Sequence, residues 1–228
     1  MGRLHVDITY LVKETVLVVA ALFPIVNPLG SAAIFSNLVG DVAENVASVL
    51  AKKIAIYGAI LLVVSMLWGV DVLSFFGISV YAVQIGGGLI VTVTGWSLLN
   101  RTTARTKADG DDAEDILEHA FYPFTLPITV GPGSISVAIT LGAHLMSDQG
   151  ALAFLLPRVL VPGILGVLIV CFIIFICYRY ARKAENLLGK TGTVVVMRLS
   201  SFILVCIGIQ IVATGIRSYF GTFSHPGF

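Results

Sequence analysis

Two short segments of this sequence carry the residues best suited to holding a small polar molecule. The first is Asn27-Pro28-Leu29-Gly30-Ser31, within the apolar residues 22–38, and the second is Thr129 to Ser134, within 125–141. Proline removes a backbone hydrogen bond from a helix, and glycine tolerates unwound backbone, so both segments predict broken helices. In a bilayer the freed backbone groups need protein or water as partners. Both segments therefore indicate recognition of a polar ligand.

The two segments also resemble each other. Proline, glycine and serine recur at one constant spacing, with Pro24 matching Pro127, Gly30 matching Gly133 and Ser31 matching Ser134. Helix interruptions at corresponding places in two halves of a membrane protein are the best sequence indication of a transporter's binding site near the bilayer midplane. A half-helix that starts there offers N–H groups and a positive dipole end to a carboxylate.

Nine residues are therefore expected to bind the substrate: Asn27, Pro28, Gly30, Ser31, Thr129, Gly131, Pro132, Gly133 and Ser134. The Asn27 amide can donate to a carboxylate or accept from an ammonium group. For the two serines, capping of the following half-helix is an equally good interpretation. The alternative for either break alone is a proline kink whose backbone is satisfied by neighbouring helices.

The composition indicates an integral membrane protein with several spans. Of 228 residues, 57% are hydrophobic and 12% charged, with a mean hydropathy of +0.97, whereas a soluble domain averages about 25% charged residues. The net charge of +1 and the absence of a basic patch argue against nucleic acid as a partner. The three cysteines fit neither a disulfide framework nor a metal motif. No metal, cofactor or detached signal peptide is expected.

Since a span needs about 20 apolar residues, the chain divides into six passes, near 8–38, 51–69, 77–99, 121–146, 151–178 and 194–220. The first pass is expected to break at Asn27–Gly30 and the fourth at Gly131–Gly133. Residues 179–190 read as a basic loop. The whole chain, 1–228, is predicted to be one membrane domain, with repeat 1 near 1–100, a cytoplasmic connecting loop at 101–119 and repeat 2 near 120–228.

Each half holds three passes, an odd number, so the second half must enter the membrane from the opposite side. Further matches between the halves are Lys53 with Arg158, Gly58 with Gly163, Gly88 with Gly208, and Thr94–Gly95 with Thr214–Gly215. The predicted fold is therefore all-α, with six transmembrane helices in two inverted three-helix repeats and with helices 1 and 4 broken.

Lysine and arginine predict the orientation, because cytoplasmic loops are rich in both. The loops after passes one, three and five carry Lys52, Lys53, Arg101, Arg105, Lys107, Arg179, Arg182, Lys183, Lys190 and Arg198, whereas the other side carries Arg3, Lys13, Arg158 and Arg217. We therefore expect a multi-pass protein of the cytoplasmic (inner) membrane with both termini outside.

The sequence resembles the MarC family of membrane proteins, which includes neutral amino acid transporters. The resemblance rests on NPLG in the first pass, LPITVGPGS in the fourth, FGISVYAVQIGGGLI at 76–90 and the segment 188–216. It implies six helices in two inverted repeats, with a small-amino-acid site between the interrupted first and fourth helices. We therefore expect a secondary transporter that moves amino acids of the glycine, alanine and serine type by alternating access.

Three polar residues within the passes are candidates for coupling or for the substrate pathway: Gln84, Gln210 and Glu14. Both glutamines lie well inside apolar segments and are expected to be buried, where an amide needs hydrogen-bond partners. Interhelical hydrogen bonding is therefore their favoured interpretation. Proton coupling needs a titratable group inside the membrane, and Glu14 is the candidate, unless it pairs with Lys13 at the outer interface. Sodium needs only oxygens, so the coupling ion, H⁺ or Na⁺, stays open. Tyr178, near the end of the fifth pass, reads as an interfacial anchor.

Two rival functions belong to other classes. Half-helices that meet at midplane also build the filter of a channel or passive pore for small polar solutes. An intramembrane enzyme is disfavoured, because the passes contain no paired carboxylates, metal-spaced ligands or cysteine–histidine pair. The expected partners are a small neutral amino acid and the lipid bilayer, and a homo-oligomer is compatible with the sequence.

Overall fold

A computed structural model of the chain describes residues 8–40, 42–100, 113–147 and 157–224. Within these ranges the fold is helical and contains no strand. The elements in chain order are α1 (Ile8–Val26), α2 (Pro28–Val39), α3 (Glu44–Phe75), α4 (Val80–Asn100), α5 (Ala113–Glu118), a π-helical segment (Ala120–Thr129), α6 (Pro132–Ser147), α7 (Pro157–Arg179) and α8 (Ala181–Ser224).

Five of these helices are long and apolar enough to cross a bilayer: α1, α3, α4, Leu160–Arg179 of α7 and Thr191–Gly221 of α8. The π-helical segment and α6 form a sixth candidate span if they are taken together, and they meet at a bend of 70°. The short apolar helix α2 follows α1. The prediction of an all-helical membrane protein is therefore confirmed, with five or six spans.

Helical structure extends further than predicted at two places. The second pass, expected at 51–69, is the longer helix α3. The expected basic loop at 179–190 is mostly helical, because α8 already begins at Ala181 and is interrupted at Gly189, where φ is 69°. Alanine, arginine, lysine, glutamate and leucine fill this stretch and all favour helix, so charge alone does not make a loop.

Parts of two other predictions lie outside the described residues. Of the connecting loop predicted at 101–119, the structure describes only the end, where α5 forms a short helix. The predicted start of the fifth pass, 151–156, is also outside, and the described part of that pass begins with α7 at Pro157.

The hydrophobic core lies between α1, α2, α3, α6 and α7. Large side chains with at most 2% of their surface exposed come from each side of it, among them Leu22, Phe35, Leu62, Ile174 and Tyr178. These helices hold both predicted interruptions, so the interruptions lie at the centre of the fold. Helix α4 packs mainly against α8, and this pair contacts the core helices through α6 and α2.

Helices α4 and α8 pack closely because glycines face each other. A Cβ atom on Gly88 would lie 2.8 Å from the Gly208 carbonyl oxygen, and a Cβ on Gly208 would lie 2.8 Å from the Gly88 carbonyl oxygen. Small residues at such a crossing let two backbones touch, which is a common way for membrane helices to associate. The contact is reciprocal, since each glycine meets the carbonyl oxygen of the other.

The reciprocity extends along both helices. A Cβ on Gly95 would lie 3.0 Å from the Ser201 carbonyl oxygen, and one on Gly215 would lie 3.0 Å from the Tyr81 carbonyl oxygen. The same sequence spacing separates Gly95 from Gly215 and Tyr81 from Ser201. The two helices are antiparallel, because contacts move toward the start of α8 as they move toward the end of α4. This is the pattern of an isologous, two-fold contact.

We expect Gly88→Ala to lower the free energy of unfolding by about 1–3 kcal/mol, because the added methyl group overpacks the crossing of α4 and α8. Gly86→Ala is the matched control, since a Cβ there meets nothing within 4 Å and alanine favours helix by up to about 1 kcal/mol. Thermal unfolding of the purified protein in detergent measures both. Equal stability of the two variants would contradict the glycine contact.

Candidate functional site

Asn27 separates α1 from α2. Its backbone has φ 49° and ψ 58°, the left-handed conformation that asparagine adopts more readily than most residues. Its side-chain oxygen Oδ1 accepts a hydrogen bond of 3.2 Å from the Gly30 backbone N–H and so caps α2. Pro28 follows as the first residue of α2, where its missing N–H costs no helical hydrogen bond. The local sequence thus accounts for the helix boundary.

The other half of the Asn27 amide is unpaired. Asn27 is 7% exposed, and its nitrogen Nδ2 has no hydrogen-bond partner among the described residues. The amide lies directly over Gly30, whose Cβ would come within 2.4 Å of Nδ2. A buried donor without a partner is unfavourable by about 1–3 kcal/mol. Such a group calls for an explanation, and a polar ligand that accepts a hydrogen bond from Nδ2 would be one.

The second interruption is spread over ten residues. The π-helical segment Ala120–Thr129 contains two residues with extended backbone, Tyr122 and Leu126. Two threonine hydroxyls satisfy carbonyl groups that the irregular backbone leaves free: Thr125 donates to the Ala120 carbonyl oxygen, and Thr129 to the Phe124 carbonyl oxygen, both at 2.7 Å. Helix α6 then begins at Pro132.

The residues at the start of α6 contact protein more than open space. The Ser134 hydroxyl donates to the Gly131 carbonyl oxygen at 2.9 Å. A Cβ on Gly133 would lie 2.1 Å from Cγ2 of Val91, so Gly133 makes room for α4. A Cβ on Gly131 would lie 3.2 Å from the Pro127 carbonyl oxygen. Part of this predicted glycine pattern therefore serves helix packing.

Ser31 brings the two interruptions together. Its hydroxyl lies 3.2 Å from the Val26 carbonyl oxygen, at the end of α1, and 3.4 Å from the Ile128 carbonyl oxygen, in the π-helical segment. The neighbouring Thr129 is 2% exposed. We call Asn27, Ser31, Ile128 and Thr129 the junction. Five of the predicted binding residues therefore lie at the junction or next to it in the chain: Asn27, Pro28, Gly30 and Ser31 from the first segment and Thr129 from the second.

Tyr178, at the end of α7, belongs beside the junction, and the prediction that it anchors at the membrane interface is wrong. It is 2% exposed, and its hydroxyl lies 2.7 Å from Oγ1 of Thr129. Its ring stacks on Phe35 at a centroid distance of 4.6 Å, and Phe35 meets Phe124 edge to face at 5.8 Å.

A signal for Tyr178 was present in the sequence. Val167, Cys171, Ile174 and Tyr178 recur at helical spacing, and all four are buried on one stripe of α7. Such a stripe predicts a buried face. The neighbouring charges at 179–183 mark the end of the span but do not determine which face of it Tyr178 occupies.

The three pathway candidates differ in their burial. Gln84 of α4 is 9% exposed, and its Oε1 has no partner among the described residues, whereas Gln210 of α8 is exposed. The expectation that both glutamines are buried is therefore wrong for Gln210. Glu14 is buried while Lys13 is exposed, and Glu14 lies about 20 Å from Asn27 along α1 at 1.5 Å per residue.

We expect Thr129→Val to lower the free energy of unfolding by about 1–3 kcal/mol, because it leaves the buried Phe124 carbonyl and Tyr178 hydroxyl short of a partner. Thr214→Val is the matched control. The Thr214 hydroxyl donates to a carbonyl of its own helix at an exposed position, so its loss should change stability by less than about 0.5 kcal/mol. Thermal unfolding in detergent compares the two, and similar values for both would contradict the hydrogen-bond assignment.

Comparison with known proteins gives a consistent family match. Residues 12–220 match the MarC family of integral membrane proteins. The inner membrane proteins MarC of Salmonella typhimurium and Escherichia coli are 30% and 29% identical to this chain over 220 residues. Each alignment covers 93% of this chain and 98% of the relative. No solved structure matches the chain significantly. The likeness spans both interruptions.

Proposed function

The chain belongs to the MarC family of integral membrane proteins, and on that premise we propose that it is a secondary transporter of small neutral amino acids. Its substrates are of the glycine, alanine and serine type, and it moves them across the inner membrane by alternating access. The substrate binds at the junction, between the interruption at Asn27 and the one that ends at Pro132.

The observation that carries this proposal is the unpaired amide nitrogen of Asn27. Nδ2 is buried at the point where the two interruptions meet, and it has no hydrogen-bond partner among the described residues. Its oxygen is already used by Gly30, so the orientation of the amide is fixed and the donor is left for a ligand. A substrate carboxylate is the acceptor that would gain most from it, because hydrogen bonds to charged groups are the stronger ones.

The surrounding backbone suits the rest of an amino acid. Both α2 and α6 begin at a proline beside the junction, and the free N–H groups of their first turns favour a negative group. The carbonyl oxygens of Val26 and Ile128 lie close by, around the Ser31 hydroxyl, and can accept from an ammonium group. Buried Phe35 and Phe124 leave little space for a large side chain, which favours glycine, alanine or serine.

The reciprocal contact of α4 and α8 supports the inverted repeat that alternating access requires in this proposal. Gly88 matches Gly208 and Gly95 matches Gly215 both in the sequence and in their contacts. Two halves of opposite topology, related by an axis in the membrane plane, place their interrupted helices against each other. In this scheme helices 1 and 4 are broken spans, with α2 and α6 as their second halves.

We expect Asn27→Asp to reduce amino acid flux by about tenfold or more, since a lost charge-assisted hydrogen bond costs roughly 1.5–3 kcal/mol and about 1.4 kcal/mol is a factor of ten. The substitution keeps the oxygen that caps α2 while it removes the N–H donor. Uptake of labelled alanine and glycine into reconstituted vesicles measures the flux.

Asn100→Asp is the matched control, because Asn100 is exposed and, among the described residues, its side chain donates to the Trp96 carbonyl oxygen of its own helix. Its flux should equal that of the unmodified protein. Equal flux in Asn27→Asp would exclude Asn27 from the substrate site. Flux that neither saturates nor responds to substrate on the opposite side would favour the channel or passive pore instead.

We further propose that transport is coupled to protons through Glu14, the one acidic residue that the structure describes as buried within a span. Intramembrane carboxylates commonly relay protons in transporters. Glu14→Gln should abolish accumulation driven by a pH gradient while counterflow exchange continues. Asp71→Asn, at an exposed position near the end of α3, should retain both activities. Accumulation that follows a sodium gradient in every variant would contradict proton coupling.

A further inference from the structure

A cavity of about 430 Å³ opens at one end of the molecule, between the turn that joins α2 to α3 and the corner that joins α7 to α8. We call this cavity the vestibule. Its walls are about half polar and half apolar, and the polar part includes Ser36, Asn45, Ser48, Arg179, Arg182 and Lys183. Glu44 and Asn45, at its rim, are exposed. The vestibule is therefore a space with charged walls that is large enough for a small amino acid.

The inner end of the vestibule is made of two aromatic rings. Phe35 and Tyr178 both line the cavity, yet each is only 2% exposed. They stack on each other at 4.6 Å with 22° between their planes. The opposite side of Tyr178 faces the junction, because its hydroxyl lies 2.7 Å from Oγ1 of Thr129. One ring pair therefore separates the vestibule from the meeting point of the two interruptions.

We propose that Phe35 and Tyr178 form a gate between the vestibule and the junction, and that the Tyr178 side chain keeps this gate closed. This proposal rests on the proposed function insofar as the amino acid is what passes. In the closed state the Tyr178 hydroxyl is held by Thr129, which belongs to the second interruption, while its ring is held by Phe35 of α2. A ligand that takes the place of either contact loosens the ring. The gate is thus linked to occupancy of the junction.

Three side-chain hydrogen bonds hold the outer walls of the vestibule together. The guanidinium of Arg179 donates to the Ser48 hydroxyl at 2.6 Å, and that of Arg182 donates to the Gly40 carbonyl oxygen. The Ser36 hydroxyl donates to the Glu185 carboxylate at 2.7 Å. All three connect the α2–α3 region to the α7–α8 corner. These are the contacts that must break when the walls separate, so both halves of the chain take part in opening the gate.

The gate can be tested by chemical access to the junction, without any transport measurement. The reporter is Ser31→Cys, made in a variant whose three native cysteines (Cys171, Cys177 and Cys206) are replaced by alanine. A membrane-impermeant maleimide is applied to sealed vesicles of either orientation, and the labelling rate is measured. A second reporter, Asn45→Cys on the exposed rim of the vestibule, identifies the side to which the vestibule opens and reports correct folding.

Tyr178→Ala should raise the labelling rate of the cysteine at position 31 by about tenfold or more, because a group sealed behind packed rings reacts only during local opening. The increase is expected only from the side that labels the cysteine at position 45. Tyr180→Ala is the matched control: Tyr180 lines the same cavity but is 44% exposed, so the rate should not change. Tyr178→Phe, which keeps the ring and loses the bond to Thr129, should give an intermediate rate.

The gate is overturned if Tyr178→Ala leaves the labelling rate at position 31 unchanged while position 45 still labels normally. It is also overturned if Tyr180→Ala has the same effect, or if access increases from the opposite side. These outcomes are separate from the proposed function. A side-specific increase in the labelling rate, in a protein that moves no amino acid, would support the gate and exclude amino acids as the substrate. Amino acid flux with an unchanged labelling rate would support the substrate and exclude the gate.

Discussion

The structure depends on one constraint, which is that backbone polar groups within a membrane must find partners in the protein. At the two interruptions, short side chains supply such partners. Asn27 caps α2, Thr129 takes up a carbonyl group of the irregular π-helical segment, and the Ser31 hydroxyl lies between carbonyl oxygens from both interruptions. What the protein leaves unsatisfied is small and specific. Among the described residues it comprises one side-chain atom each on Glu14, Thr15, Asn27 and Gln84. The Asn27 nitrogen is the one that lies at the junction, and it is the basis of the functional interpretation.

Close packing is what allows the interruptions to meet. Gly133 lets α6 approach α4, and the glycines of α4 and α8 let those two helices touch. Because α6 and α2 both contact this pair, the positions of the two half-helix starts are set by glycine contacts some distance from the junction. Glycine therefore has two roles here. It lets helices approach each other closely, and at Gly30 it leaves space for the Asn27 side chain that lies over it.

Local chemistry could be predicted from the sequence, whereas long-range contacts could not. The helix boundary at Asn27 and Pro28 follows from the properties of these two residues. The second irregular region begins earlier than predicted, because threonine hydroxyls stabilise it from Ala120 onward. The environments of Tyr178 and Gln210 depend on which helix faces them, and the hydropathy of their own spans carries no such information. Predictions about the substrate, the coupling ion and the orientation remain predictions.

The reciprocal contact of α4 and α8 has a mechanical consequence. The backbone contacts of this interface are similar when its two helices are exchanged, so these contacts favour neither of two equal and opposite tilts about its axis. Such a contact can act as a pivot, but it cannot by itself favour one side of the bilayer. In the proposed alternating-access cycle, any bias between the two end states would arise where the two halves of the chain differ in sequence. The charged walls around Arg179 and Arg182 are one such asymmetric region.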